Sequence, residues 1–436
     1  MKPNLFYYMS LLIPGSAHLV LKKWKLGIIG IGIFILEVVS FITIMLPNFA
    51  LLFVRHTSGP YAGALTIGAQ EYVDDSFIIL VAAVFSILLI IIFLFIHYAF
   101  ARDARGIAHQ INEHGYAVST MEKMKEISSE IIPNAITAPK FILIFVFIFL
   151  PAVVSIFIAF TNYQNPILPP AFLIEWNGLE NFSTVIFDER TRAAFTDTLT
   201  WTIIWTFSAT TLTITLGTLL AIVANNKRIK GKRFFRTVYL LPWAVPAFLT
   251  ILIFQIFFSR IGTMNTIVIP FFTGTPYSVG NAIGFFQDPL LARITIILIQ
   301  AWLGFPYIFI LVTGVLQTIP DDLYEASNID GGNVFTNFFD ITLPLILISV
   351  APVFITQFTF NFNNVTIIYL LSDSVVKNIG AVYGPLDTVA SLGFRLMLDA
   401  KFSQAAVYTL IVSTIVGAIV LYSWMKTGAF ENEEVM

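Results

Sequence analysis

The stretch Asp321-Asp322-Leu323-Tyr324-Glu325-Ala326-Ser327-Asn328-Ile329-Asp330-Gly331-Gly332, followed at fixed spacing by Ile341, Leu343 and Pro344, is a polar island between two strongly apolar segments. Between Asp321 and Asp340 it carries five acids and no Lys or Arg. Pro320-Asp321-Asp322 reads as a helix start, with one acid at the N-cap and another in the first turn, where the helix dipole favours negative charge. The pattern predicts a helix over 321–329, a turn at Gly331-Gly332 and a second short helix over 334–339, before Leu343-Pro344 opens the next apolar segment. Two readings are open: a capped connector with solvated acids, or an acidic helix presented to a basic partner.

What lies on either side of the island sets the fold class. Of 436 residues, 57% are hydrophobic and only 11% charged, with a mean hydropathy of +0.84, where soluble domains carry about 25% charged residues. The expectation is an all-α polytopic membrane protein of about eight spans. They fall at 27–46, 77–100, 141–160, 198–223, 238–258, 292–315, 345–362 and 405–425. Residues 5–21 are apolar but broken by Pro14-Gly15 and lack a clear small-residue cleavage site, so an interfacial or re-entrant segment is expected there rather than a signal peptide. The segment 101–140, with an expected amphipathic helix over 121–132, separates a first part (1–140) from a six-span core (141–430). The acidic tail around Glu431 is expected to fray.

Charge distribution orients the chain. One set of alternate segments, including both termini, holds 16 Lys and Arg and the other set holds 8. The positive-inside rule then puts both termini in the cytoplasm of a multi-pass cell-membrane protein, and the island becomes the one inside loop with no base. The run from Asn225 to Arg236 carries six bases. Beside a span it reads as an orientation signal rather than a nucleic-acid contact, and the net charge of −2 offers no wider footprint for nucleic acid. Cysteine is absent, so no disulfide or thiolate metal site can form. The five His fall in scattered segments without metal spacing, and no G-x-x-x-x-G-K-[ST] occurs. No catalytic or metal site is therefore expected. A lone intramembrane acid, Glu37, is either a structural partner of neighbouring helices or a functional group. It does not supply the paired carboxylates or inverted halves that a secondary transporter would want.

The spacing Glu325-Ala326-Ser327, three residues, Gly331, nine residues, Ile341-x-Leu343-Pro344 resembles the coupling loop of the membrane subunits of ATP-binding-cassette importers. It differs only at Ser327, where Ala is commoner. Trp176-x-Gly178-Leu179-x-Asn181-Phe182, Gly217-x-x-Leu220-Ala221-x-x-x-Asn225 and Phe235-Arg236-x-x-x-Leu240-Leu241-Pro242 look like the carbohydrate class of these permeases. Length, span count and the Pro-Gly start are similar to the larger permease of maltose/maltodextrin importers. A large extracytoplasmic insertion found after the third span in some of that family is replaced by the loop 162–197.

The resemblance implies a type I importer fold and a non-catalytic subunit. ATP and Mg would be bound by a partner ATPase dimer. The other implied partners are a second permease, an extracytoplasmic sugar-binding protein, and an oligosaccharide substrate of the maltodextrin or another class such as raffinose-type sugars. Glu325, Ala326, Ser327 and Gly331 would couple to the ATPase. For the substrate, aromatic faces and amides within the spans are the candidates. Gln300, Gly304 and Tyr307 share one helical face, as do Gln357, Phe360, Asn361 and Asn364, and Trp243 lies between Pro242 and Pro246. Intramembrane amides also hold helices together. Gly304, Tyr307, Phe360, Asn361 and Asn364 are similar to the family's sugar-contacting residues, whereas Gln300, Gln357 and Trp243 differ in type from their counterparts.

Overall fold

The computed structural model describes residues 2–53, 64–66, 71–73, 76–115, 140, 143–168, 174–226, 229–372, 374–375 and 383–427. The expected helix over 121–132, the acidic tail, and Lys227 and Arg228 of the basic run lie outside them. The described chain is helical apart from isolated bridges and one short antiparallel ribbon, β1 (Ala64–Thr66) with β2 (Glu71–Val73), paired Ala64 to Val73. It falls into two compact units, Met1–Gly178 and Leu179–Met436. The division comes after Gly178 rather than at residue 140, because the third apolar helix packs on the second inside the first unit.

The first unit begins with α1 (Pro3–Leu12) and α2 (Ser16–Val20), turned at Gly15, whose φ is +84°. The apolar start is thus two short helices, and α1 packs along α5 (Ser76–His114). Between them come α3 (Trp24–Ser40), a π-turn over Phe41–Met45 and α4 (Leu46–Phe53). Glu37 of α3 is not isolated: His97 of α5 meets its carboxylate at 2.6 Å and donates its Nδ1–H to the Leu11 carbonyl at 2.7 Å. One imidazole thereby ties α1, α3 and α5 together, which gives the intramembrane acid a structural partner. A second pair, His18 with Asp103 at 3.1 Å, ties α2 to α5. The π-turn Phe145–Phe149 and α6 (Leu150–Ile158) complete the unit.

In the second unit, α7 (Glu180–Phe187) leads into α8 (Glu189–Asn225). The Asp188 carboxylate caps α8 by accepting from the Thr191 N–H at 2.9 Å, and these bonds hold its pKa below the ordinary 3.8. The buried face of α8 runs Ala194, Thr198, Trp201/Thr202, Trp205/Thr206, Ala209/Thr210, Thr213, Gly217, Ala221 and Ala224. These residues recur every three or four positions, the helical repeat. Small side chains on that stripe admit α12 (Pro289–Thr318) alongside, and two of its Thr hydroxyls bond back to the helix, Thr198 to the Ala194 carbonyl at 2.7 Å and Thr202 to the Thr198 carbonyl at 2.6 Å. Around Trp205, the residues Ile296, Ile299, Ile367, Ile368 and Leu371 form the main core.

Next come α9 (Lys232–Ala244) and α10 (Ala247–Phe257), bent by 91° at Val245-Pro246. A π-turn (Met264–Val268) and α11 (Ile269–Thr273) occupy the following loop. Beyond α12 lie α13 (Asp321–Ile329), α14 (Val334–Thr336), a π-turn (Asn337–Thr342), α15 (Leu343–Phe362), α16 (Val365–Ser372), α17 (Val389–Leu398) and α18 (Phe402–Thr427). The segment between the expected spans 345–362 and 405–425 contains the helices α16 and α17. Leu343-Pro344 is not an entry point after a break, because helix runs on from Val334. Pro344 directly follows the π-turn Asn337–Thr342, an irregularity in the helical ladder at the point where proline supplies no N–H.

Six helices among the described residues are long and apolar enough to cross a membrane, or seven if the bent pair α9–α10 counts as one. The remaining expected span, at 141–160, is described as the shorter helix Phe145–Ile158. Large apolar side chains such as Leu94, Phe95, Phe147 and Phe207 are exposed along these helices. That arrangement suits a hydrocarbon solvent, in which every backbone group is satisfied within its own helix.

Candidate functional site

A cavity of about 1200 Å³ opens in the second unit where the α9–α10 bend meets α12 and the break between α15 and α16. Pro242 lies inside α9 and Pro246 caps α10, so helical hydrogen bonding lapses between them. The cavity occupies that place: Pro242, Trp243, Val245 and Pro246 all line it. Trp243, half exposed at 51%, stacks on Tyr307 of α12 with ring centroids 5.9 Å apart and planes 24° from parallel. Phe360 of α15, 59% exposed, supplies a third aromatic surface. Gly304 lines the same wall, and a Cβ there would stand 2.7 Å from Thr213 Cγ2, so only glycine lets α12 approach α8 this closely.

The polar wall is a chain of amides. Gln300 Nε2 donates to Asn361 Oδ1 at 2.9 Å, Asn364 Nδ2 donates to Gln300 Oε1 at 3.2 Å, and Asn361 Nδ2 donates to Thr210 Oγ1 at 2.9 Å. Trp205 adds its indole N–H to the Asn361 carbonyl at 3.0 Å. Seven of the eight residues singled out from the sequence (Trp243, Gln300, Gly304, Tyr307, Gln357, Phe360 and Asn364) line the cavity together. Asn361 does not line it. Its side chain is wholly buried, and both ends of its amide are taken by Gln300 and Thr210, so it holds Gln300 in place from behind. Thr356, Thr359 and Asn363 line the cavity as well and were not singled out. Their signal was in reach, since 356, 359 and 363 follow a helical repeat beside Phe360.

The polar island is a second site, and it is internally braced. The helix α13 starts after Pro320, with both Asp321 and Asp322 in its first turn, so neither acid is the N-cap. It ends with the Gly332 N–H donated to the Ser327 carbonyl at 2.7 Å and the Gly331 N–H to Asn328 at 3.2 Å. This double bond pattern needs a left-handed residue after the cap, which Gly331 supplies at φ +88°. Ser327 Oγ donates to Asn337 Oδ1 at 2.6 Å, and the hydroxyls of Tyr324 and Thr342 meet at 2.9 Å. Both bonds tie α13 to the turn that opens α15. Glu325 and Ala326 are exposed, and among the described residues Glu325 has no ion-pair partner.

Part of the basic run has a local task. Lys232 Nζ donates to the Asn225 carbonyl at 3.2 Å, and Arg236 bonds Asn225 Oδ1, so two cations sit at the negative end of α8. Asn225 Nδ2 in turn reaches Thr313 Oγ1 of α12 at 3.1 Å.

Residues 213–427 match the family described as the binding-protein-dependent transport system inner membrane component. The chain is 38% identical over 429 residues to the maltodextrin transport system permease protein MalC of Streptococcus pneumoniae, covering 97% of this chain and 96% of that one. The chain belongs to this permease family. It is also 39% identical over 425 residues to the galactooligosaccharides transport system permease protein GanP of Bacillus subtilis, covering 97% of both. A bacterial ABC transporter that imports alginate matches the permease in fold, with a TM-score of 0.55 at 20% identity over 70% of this chain and 98% of that one.

Proposed function

We propose that the permease translocates oligosaccharides of the maltodextrin class as one half of a membrane heterodimer. A sugar-binding protein on the extracytoplasmic side delivers the substrate, and an ATPase dimer that binds ATP and Mg on the cytoplasmic side drives it. The observation that carries this reading is the cavity at the α9–α10 bend. A stacked Trp243–Tyr307 pair and Phe360 offer flat apolar faces to sugar rings, while Gln357 and the Gln300–Asn364 amides offer donors and acceptors to their hydroxyls. Among the described residues no charged one lines it, which suits an uncharged substrate. The relatives named for maltodextrin and galactooligosaccharides support an oligosaccharide. The near-equal identity to each makes galactooligosaccharides the second reading.

The island is the attachment to the motor. Glu325 and its neighbouring acids form an exposed anionic helix that a basic cleft of the ATPase would recognise. Ser327, Gly331, Tyr324 and Asn337 pass any displacement of α13 to α15 as a rigid body. Both termini are cytoplasmic in this arrangement.

The test is the assembled complex, purified with its binding protein. Maltohexaose is expected to stimulate ATP hydrolysis more than a galactooligosaccharide of equal length, and the reverse order would select the second reading. Glu325→Lys is expected to abolish retention of the ATPase or to uncouple hydrolysis from uptake. Full uptake with Glu325→Lys would remove Glu325 from the contact.

A further inference from the structure

A second cavity, of about 340 Å³, lies on the same α8–α12 pair at the opposite end from the Asn225–Thr313 bond. Asp197, Thr200, Trp201, Arg293 and Tyr383 are the lining residues that matter. The guanidinium of Arg293 lies 4.4 Å from the ring centroid of Trp201 and donates its Nε–H to the Pro385 carbonyl at 3.0 Å. Those two contacts fix the plane of the guanidinium and leave its terminal amino groups as donors. Tyr383 donates its hydroxyl to Asp197 Oδ2 at 2.6 Å, and this bond pushes the phenol up to about 12. Asp197 Oδ1 and the phenol lone pairs therefore remain as acceptors.

Among the described residues the charges balance. Asp197, Arg293 and Asp387 line the cavity, and Asp387 is paired with Arg395 at 3.0 Å. A neutral site that sets a guanidinium donor beside a carboxylate acceptor has no preference for an ion. It matches adjacent hydroxyls, one donating and one accepting, on a polyol. The volume is at the lower limit for small-molecule pockets, so it admits a sugar ring rather than a peptide segment.

Position supplies the link to transport. Arg293 precedes Gln300 by seven residues, two turns on the same face of α12, roughly 10 Å along the axis at 1.5 Å per residue. With the amino ends of α8 and α12 extracytoplasmic, this cavity stands above the larger one on the side from which substrate arrives. We propose that it is an entry subsite for a terminal hexose unit of a neutral oligosaccharide too long for the larger cavity alone. The subsite rests on the sugar-permease reading given above.

The test compares maltose with maltohexaose in the complete transporter, reconstituted with saturating loaded binding protein. Tyr383→Phe removes one hydroxyl and keeps the ring; Asp197→Asn removes the charge and keeps the shape. Each is expected to lower the ratio of maltohexaose to maltose transport rates by about 10-fold, the scale of one lost hydrogen bond to a charged group. An unchanged ratio in both variants, or equal losses for the two sugars, would show a structural joint and overturn the subsite. If the unmodified transporter moves neither sugar, the parent reading falls first and the subsite with it.

Discussion

Tyr307 and Asn361 stand on consecutive layers of one wall and have different tasks. Tyr307 lines the cavity, stacks on Trp243 and packs on the edge of the cluster of Phe305, Ile308 and Ile346, so Tyr307→Ala removes an aromatic face of the cavity and trims only the rim of that core. Uptake affinity is expected to fall about 3- to 10-fold, the scale of an aromatic contact worth roughly 0.5–1.5 kcal/mol, with unfolding temperature near that of the parent. Asn361→Ala instead strands Gln300 and Thr210, two buried polar groups. It is expected to cost about 1–3 kcal/mol of stability, seen as a lower midpoint of thermal unfolding in detergent, together with slower uptake. Equal midpoints for the two variants would contradict the division. The sequence identified both residues by their helical spacing. It could not separate them, because which amide faces a cavity depends on Thr210, 151 positions away.

Among elements, the island is braced as one piece with the start of α15. Its helix is closed by Gly331 and pinned to the start of α15 by Ser327 and Tyr324, while α12 enters it from the other side. Thus α12 and α15, which carry Gln300, Tyr307, Gln357 and Phe360, are joined through α13. Gly331→Ala forces a Cβ into a left-handed conformation at a cost of about 1–2 kcal/mol. It is expected to reduce sugar moved per ATP hydrolysed more than it reduces hydrolysis itself, measured in proteoliposomes. An unaltered ratio would mean that the turn geometry is not part of the linkage. Boundaries at this scale were partly legible. The bend within Leu241-Pro242-Trp243-Ala244-Val245-Pro246 is marked in the sequence by two prolines, but the helices α16 and α17 carry no such mark, since a short apolar helix gives no spanning signal. Conversely, Leu343-Pro344 reads as the start of an apolar segment, although the π-turn Asn337–Thr342 carries the helix through to it from Val334.

For the whole molecule, orientation is the property that every functional statement depends on, and the absence of cysteine makes it directly measurable. Ile329→Cys, at an 85% exposed position on the island, is expected to react with a membrane-impermeant maleimide only after cells are permeabilised. Val279→Cys, at a 66% exposed position between α11 and α12, is expected to react on intact cells. The opposite pattern would invert the topology. The sequence by itself determined the solvent, the approximate spans, the orientation expected from Lys and Arg, and the island with its spacing. All of these are written in local composition and short-range periodicity, which a bilayer reads directly because it demands long apolar helices. Only the tertiary structure decided that Glu37 has His97 as its partner, that Asn361 stands behind the cavity wall, and that Asp197, Arg293 and Tyr383 gather around one small pocket. Those pairings join residues separated by 60 to 186 positions, and no local pattern encodes which distant side chain will satisfy a buried polar group.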